Sequence, residues 1–158
     1  MVKILVVYYS RSGNTKIMAN MVAQGAEEEG AIVDLKEVSQ VKSEELLIYD
    51  GIIIGSPTYY GTLAWEVKKL LDESVKFHGK LEGKIGGAFS SAANIGGGNE
   101  TTILSILEAM LIHGMIIPGA YSGDHYGPVA INEPDTRPKE QCLALGSRIA
   151  RLAKRLEK

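Results

Sequence analysis

Three short stretches hold the residues best suited to chemistry. The first, Ser10-Arg11-Ser12-Gly13-Asn14-Thr15, combines hydroxyls, a cation, an amide and a glycine. Placed before a helix, such a run aims backbone N–H groups and hydroxyl donors at one spot, where the helix dipole also favours negative charge. A phosphate suits it. The alternative, that Ser12 or Asn14 merely caps the helix, accounts for one polar residue and not for the run.

The second stretch is Gly55-Ser56-Pro57-Thr58-Tyr59-Tyr60-Gly61. Proline and glycine hold a fixed turn close to a flat ligand, and an aromatic at that turn can cover the ligand's ring. Tyr59 and Tyr60 packing over a sheet edge is the plainer alternative. The third, Ser90-Ser91-Ala92-Ala93-Asn94-Ile95-Gly96-Gly97-Gly98-Asn99-Glu100, is small, polar and rich in glycine. It lets backbone amides approach the edge of a planar heterocycle without side-chain obstruction, where the alternative is a flexible surface loop. Neither the G-x-x-x-x-G-K-[ST] pattern of nucleoside triphosphate binders nor the dinucleotide pattern G-x-G-x-x-G occurs, which leaves a mononucleotide phosphate.

These stretches work together only if the fold brings them to one edge. Residues 2–9 are almost continuously apolar, as in a strand buried on both faces of a parallel sheet. From Asn14 to Glu29, residues Ile17, Met18, Met21, Val22 and Gly25 recur at helical spacing, and Gly30 is placed to stop the helix. The alternation continues with strands expected at 32–38, 51–55, 85–90 and 115–120. Helices are expected at 44–48, 63–75, 101–113 and about 138–156. Strands alternating with helices imply parallel pairing through right-handed crossovers, an α/β doubly wound sheet with helices on both faces. In such sheets the ligand sits beyond the carboxyl ends of the strands, where strand order reverses. The loops after strands one, three and four therefore carry the function.

The 158 residues fit one domain, residues 1–158, and 45% hydrophobic with 23% charged residues is ordinary for a soluble globular chain. A net charge of −2 with no basic patch argues against a nucleic-acid partner. No apolar run is long enough to span a bilayer, and the N-terminus enters a strand without signal-peptide features, so a cytoplasmic location is expected. Cys142 is alone and falls in register with Leu145, Ile149, Leu152 and Leu156, as a core residue does. The three histidines and one cysteine lack metal-ligand spacing, and no metal is expected.

Taken in order, these motifs resemble the flavodoxin superfamily over essentially the whole chain. Residues 10–15 are similar to the hydroxyl-rich loop that holds the FMN phosphate. Residues 56–61, Ser90-Ser91 with Gly96-Gly97-Gly98, and His113-Gly114-Met115 resemble segments of the WrbA-type NAD(P)H:quinone oxidoreductases. The resemblance implies a five-stranded sheet of order 2-1-3-4-5 and FMN as cofactor. Ser10, Arg11, Ser12, Gly13, Asn14 and Thr15 would hold its phosphate. Pro57, Thr58, Tyr59, Tyr60 and Gly61 would enclose the isoalloxazine ring together with Ser90, Ser91, Ala92, Ala93, Asn94, Gly96 and Gly97. It also implies that His113 approaches the flavin as a catalytic residue, across a subunit contact; a helix C-terminal histidine compensating the dipole is the alternative. His125 would line the same cavity and His78 would be solvated. The chain is shorter than the WrbA type between strands two and three, and residues 121–136 look abbreviated.

Two function classes follow: two-electron reduction of a quinone-like acceptor by NAD(P)H, or single-electron carriage between partner proteins. Near-neutral charge leans toward the enzyme, because the family's carriers are strongly acidic. The helix from Thr101, with Ile103, Leu104, Ile106, Leu107, Met110, Leu111 and Ile112 wrapping more than one face, predicts a homo-oligomer, a dimer or tetramer.

Overall fold

The N-terminal apolar run forms β1 (Lys3–Tyr8), buried from Ile4 onward. In the computed structural model, which describes residues 1–157, β1 pairs in parallel with β2 (Ile32–Glu37) on one side and β3 (Gly51–Tyr59) on the other. A two-residue strand, β4 (Thr62–Leu63), folds back antiparallel on the end of β3. β5 (Ile85–Ala92) pairs in parallel with β3, and β6 (Val129–Ile131) with β5. The path β2-β1-β3-β5-β6 is the expected 2-1-3-4-5 order once the hairpin strand β4 is set aside.

Alternate side chains of each central strand enter opposite cores. Val6, Ile53 and Phe89 face α1 (Asn14–Glu28) and α4 (Thr136–Leu156). Leu5, Ile52 and Ile54 face α2 (Trp65–Glu73) and α3 (Asn99–Ile112). α1 and α4 touch backbone to backbone at Gly25 and Gly146, where an added Cβ would strike the carbonyls of Leu143 and Val22 respectively. Cys142 is fully buried in this layer, and burial pushes its thiol pKa up to about 12, which leaves it inert.

Three expectations need correction. The fifth strand is not 115–120: Ile116 makes a single bridge to Ile85, the chain then leaves the sheet, and the ladder resumes at Val129 opposite Ser90. Pro118 stands two residues beyond that bridge and has no N–H to give a ladder. β3 runs to Tyr59 rather than stopping at 55, because Ser56 and Pro57 still stand opposite Ser90 and Ser91. The segment expected as a helix at 44–48 is a 3-10 helix, Ser43–Ile48.

Candidate functional site

The carboxyl ends of β1, β3 and β5 converge, and hydroxyl pairs tie their loops together. Thr15 Oγ1 lies 2.9 Å from Ser91 Oγ, joining the first turn of α1 to the end of β5. Thr58 Oγ1 lies 3.0 Å from Ser90 Oγ and accepts from Thr102 Oγ1 at 3.0 Å, joining β3, β5 and α3. The Ser56 hydroxyl accepts the Ala64 N–H at 2.8 Å and fixes the exit of the hairpin. Residues 10–15, 57–61 and 90–98 thus meet at one edge.

At the first loop, Gly13 adopts φ 100° as the residue that opens α1, and neither Ser12 nor Asn14 places its side chain on the helix N-terminus. The helix-cap alternative for Ser12 or Asn14 is therefore not what is observed. Ser10 Oγ instead accepts the N–H groups of Gly13 at 3.1 Å and Lys16 at 3.3 Å. Among the described residues no acceptor serves the N–H groups of Ser12, Asn14 and Thr15, and the Arg11 guanidinium, exposed beside them, has no ion pair. Unpaired donors at a helix N-terminus with a cation alongside form an anion cradle.

At the second loop, Tyr60 and Gly61 both have positive φ, 49° and 83°, the conformation of a type I′ hairpin turn. Glycine adopts it freely, but a tyrosine there is strained. The Tyr60 side chain is wholly exposed while Tyr59 packs edge-on against Tyr9, with ring centroids 6.3 Å apart. The two adjacent aromatics therefore part company: one packs, one stands free over the edge.

At the third loop, Ala93, Asn94, Ile95 and Gly96 are exposed, and the Gly97 N–H bonds the Asn94 carbonyl at 3.3 Å. Ala92 ends β5 rather than belonging to the loop. Two cavities flank the cluster. One of about 240 Å³ is lined by Tyr9, Val38, Val41, Trp65, Glu66 and Leu70, the other of about 340 Å³ by Ile95, Gly96, Asn99, Val129 and Arg137 among others.

His113 is not brought to this edge. α3 begins at the glycine loop and runs back along the sheet, so the residue after its last turn sits at the opposite, amino-terminal edge. There His113 is buried, its Nε2 is 2.7 Å from Ser74 Oγ, and its ring lies 6.2 Å from that of His78. Burial, with the charge of His78 second, lowers its pKa below the ordinary histidine value. His78 is exposed. His125 lies in the loop that interrupts the fifth strand, its Nδ1 2.8 Å from the Ala120 carbonyl oxygen. Sequence reading missed Thr101 and Thr102, which it counted as the start of a helix; their hydroxyls reach the Gly61 carbonyl and Thr58. The available signal was a pair of hydroxyls directly after a glycine run.

Residues 5–93 match the family model of a flavodoxin domain. A flavodoxin of Aquifex aeolicus is 42% identical over 157 residues, covering 94% of this chain and 85% of the relative. An NAD(P)H dehydrogenase (quinone) of Azorhizobium caulinodans is 39% identical, covering 84% of this chain and 77% of its own. Among solved structures, a WrbA-like flavodoxin protein of Agrobacterium tumefaciens superposes with a TM-score of 0.83 at 29% identity, covering 98% of this chain and 99% of that one. Among the described residues no helix is long and apolar enough to cross a membrane.

Proposed function

The chain belongs to the flavodoxin family, and from that premise we propose that it is a single-domain FMN flavoprotein that reduces quinone-like acceptors with NAD(P)H. The observation that carries the FMN reading is the set of unpaired Ser12, Asn14 and Thr15 N–H groups beside Arg11, tied through Thr15 to the end of β5. Those donors and the helix dipole hold the phosphate dianion, and Arg11 adds a charge-assisted contact. Tyr60 covers one face of the ring. The 92–97 segment meets the ring's polar edge with small residues and backbone. Bound there, FMN would supply two-electron redox chemistry with a nicotinamide as the donor. The chain binds it, orients it and limits what reaches it.

The relatives named NAD(P)H dehydrogenase (quinone), together with a net charge of only −2, favour the two-electron enzyme. The second reading, a carrier of single electrons between protein partners, is favoured by the relatives named flavodoxin. The site reading assigns no role to His113 within one chain. Leu111 and Ile112 expose apolar side chains on α3, with Ile116 following, and this patch supports a homo-oligomer, a dimer or tetramer.

An absorbance titration with FMN tests the FMN reading, and absence of binding at micromolar concentration would refute it. With FMN bound, oxidation of NADH or NADPH in the presence of benzoquinone separates the two readings. Sustained turnover supports the enzyme, and none supports the carrier. Sedimentation of the parent and of Leu111→Glu tests the assembly: the parent is expected above monomer mass and the variant at it.

A further inference from the structure

We propose that Thr101 is a positioning residue of the flavin site, its hydroxyl clamping the Tyr60–Gly61 turn against α3 and so setting the width between the two walls that enclose the ring. The inference rests on the FMN reading above for its functional half and on the clamp geometry for the rest.

Thr101 Oγ1 donates to the Gly61 carbonyl at 2.6 Å. The same hydroxyl lies 3.0 Å from the Gly98 carbonyl, and since it has one proton the shorter contact dominates. Among the described residues no other donor reaches the Gly61 oxygen. Two further hydroxyl pairs stitch the hairpin to α3, Thr102 to Thr58 at 3.0 Å and Thr62 to Ser105 at 3.1 Å, but they grip its strands and leave the turn alone.

Two features make that single contact decisive. The turn holds Tyr60 at φ 49°, a strained conformation that persists only where its surroundings over-determine it. The glycine loop abuts the turn directly, since a Cβ on Gly98 would lie 2.7 Å from Gly61 Cα and 2.9 Å from Thr101 Oγ1. The hydroxyl therefore sits at the junction of both walls. It is mounted on a helix anchored by fully buried Ile103 and Ile106, a rigid support for a site group. The plainer account is that Thr101 only satisfies the Gly98 carbonyl three residues before it, a local helix-start contact.

Thr101→Val keeps the shape and removes the donor, while Thr101→Ser keeps the donor. Thr101 is exposed, so both variants are expected to fold. In flavin-free protein, amide exchange across residues 59–63 should quicken at least severalfold in the valine variant and remain near parent rates in the serine variant. With FMN, the dissociation constant should rise about two- to tenfold for valine, as expected for one lost hydrogen bond. The flavin midpoint potential should move with it, and serine should restore both. Parent-like exchange, affinity and potential in Thr101→Val would overturn the clamp. If the parent itself takes no FMN, the flavin reading fails while the exchange measurement still decides whether the hydroxyl holds the turn.

Discussion

The hydroxyls of Thr15 and Ser91, 76 residues apart in sequence, lie 2.9 Å from each other in a buried contact at the edge of the sheet. Thr15 thereby belongs to two loops at once. Its backbone N–H is one of the unpaired donors of the proposed phosphate cradle, and its side chain braces the end of β5 proposed to enclose the flavin. Ser12, by contrast, is exposed and braces nothing.

That difference separates two substitutions that would otherwise look alike. Ser12→Ala should weaken FMN binding by about 1.5–3 kcal/mol, as for a lost hydrogen bond to a charged group, and leave the stability of the flavin-free fold unchanged. Thr15→Ala should weaken binding and also destabilise the flavin-free fold by about 1 kcal/mol, because Ser91 loses its buried partner. Calorimetric binding and urea unfolding of both variants check this. Unchanged affinity in the double variant would remove the phosphate from this loop.

The Tyr60 turn sets stability against function. Asn-Gly is the preferred pair for a type I′ turn, and Tyr60 already precedes Gly61 at φ 49°. Tyr60→Asn should therefore raise the stability of the flavin-free protein by about 0.5–1 kcal/mol, as the left-handed strain is relieved. It should weaken FMN binding by about 0.5–1.5 kcal/mol through loss of the aromatic cover. A variant that binds FMN as the parent does would assign the cover to another residue.

The central sheet was legible because its strands are buried on both faces and read as apolar runs; β1 and the start of β3 are such runs. Met115-Ile116-Ile117 reads the same way, yet only Ile116 reaches the ladder, because a short apolar run carries no record of whether its backbone continues to find a partner. Pro118 was the available warning. Among the site residues, the polar run of the first loop was readable from composition. The pairings Thr15–Ser91 and Thr101–Gly61 were not, since they depend on register between distant loops. The position of His113 was implicit in the topology: a helix that starts at the carboxyl edge of a parallel sheet must end at the other.

At that far edge the proton inventory fixes the histidine. Ser74 gives its one hydroxyl proton to the Leu71 carbonyl at 2.7 Å, so His113 Nε2, also 2.7 Å away, carries the hydrogen. Nδ1 is buried without a partner, and protonating it would bury an unpaired charge close to His78. The folded-state pKa is thus below the unfolded value. Such a group's stability is fully present above the unfolded pKa near 6.5 and is lost as pH falls through the folded value. Stability measured from pH 7.5 down to 5 should fall less steeply in His113→Gln than in the parent. FMN affinity per chain should be unchanged at neutral pH; equal slopes would remove His113 from the acid limb.

An alkaline limb of opposite sign arises at Tyr49. Its ring is almost fully buried and its hydroxyl donates to Asp34 Oδ2 at 2.6 Å, pinning edge strand β2 to the segment that leads into β3. Burial first, and the hydrogen bond to Asp34 second, push its pKa up to about 12. The folded state holds this proton more tightly than the unfolded chain, whose phenol titrates near 10. The stabilisation is therefore complete below pH 10 and is lost as pH rises toward 12. Tyr49→Phe should lower stability at pH 8 by about 1 kcal/mol, since water can still solvate exposed Asp34. It should also flatten the decline between pH 10 and 12. Denaturant unfolding at pH 8, 10 and 11.5 distinguishes the cases: parallel declines in parent and variant would place the alkaline sensitivity elsewhere and leave the Tyr49–Asp34 contact a packing feature alone.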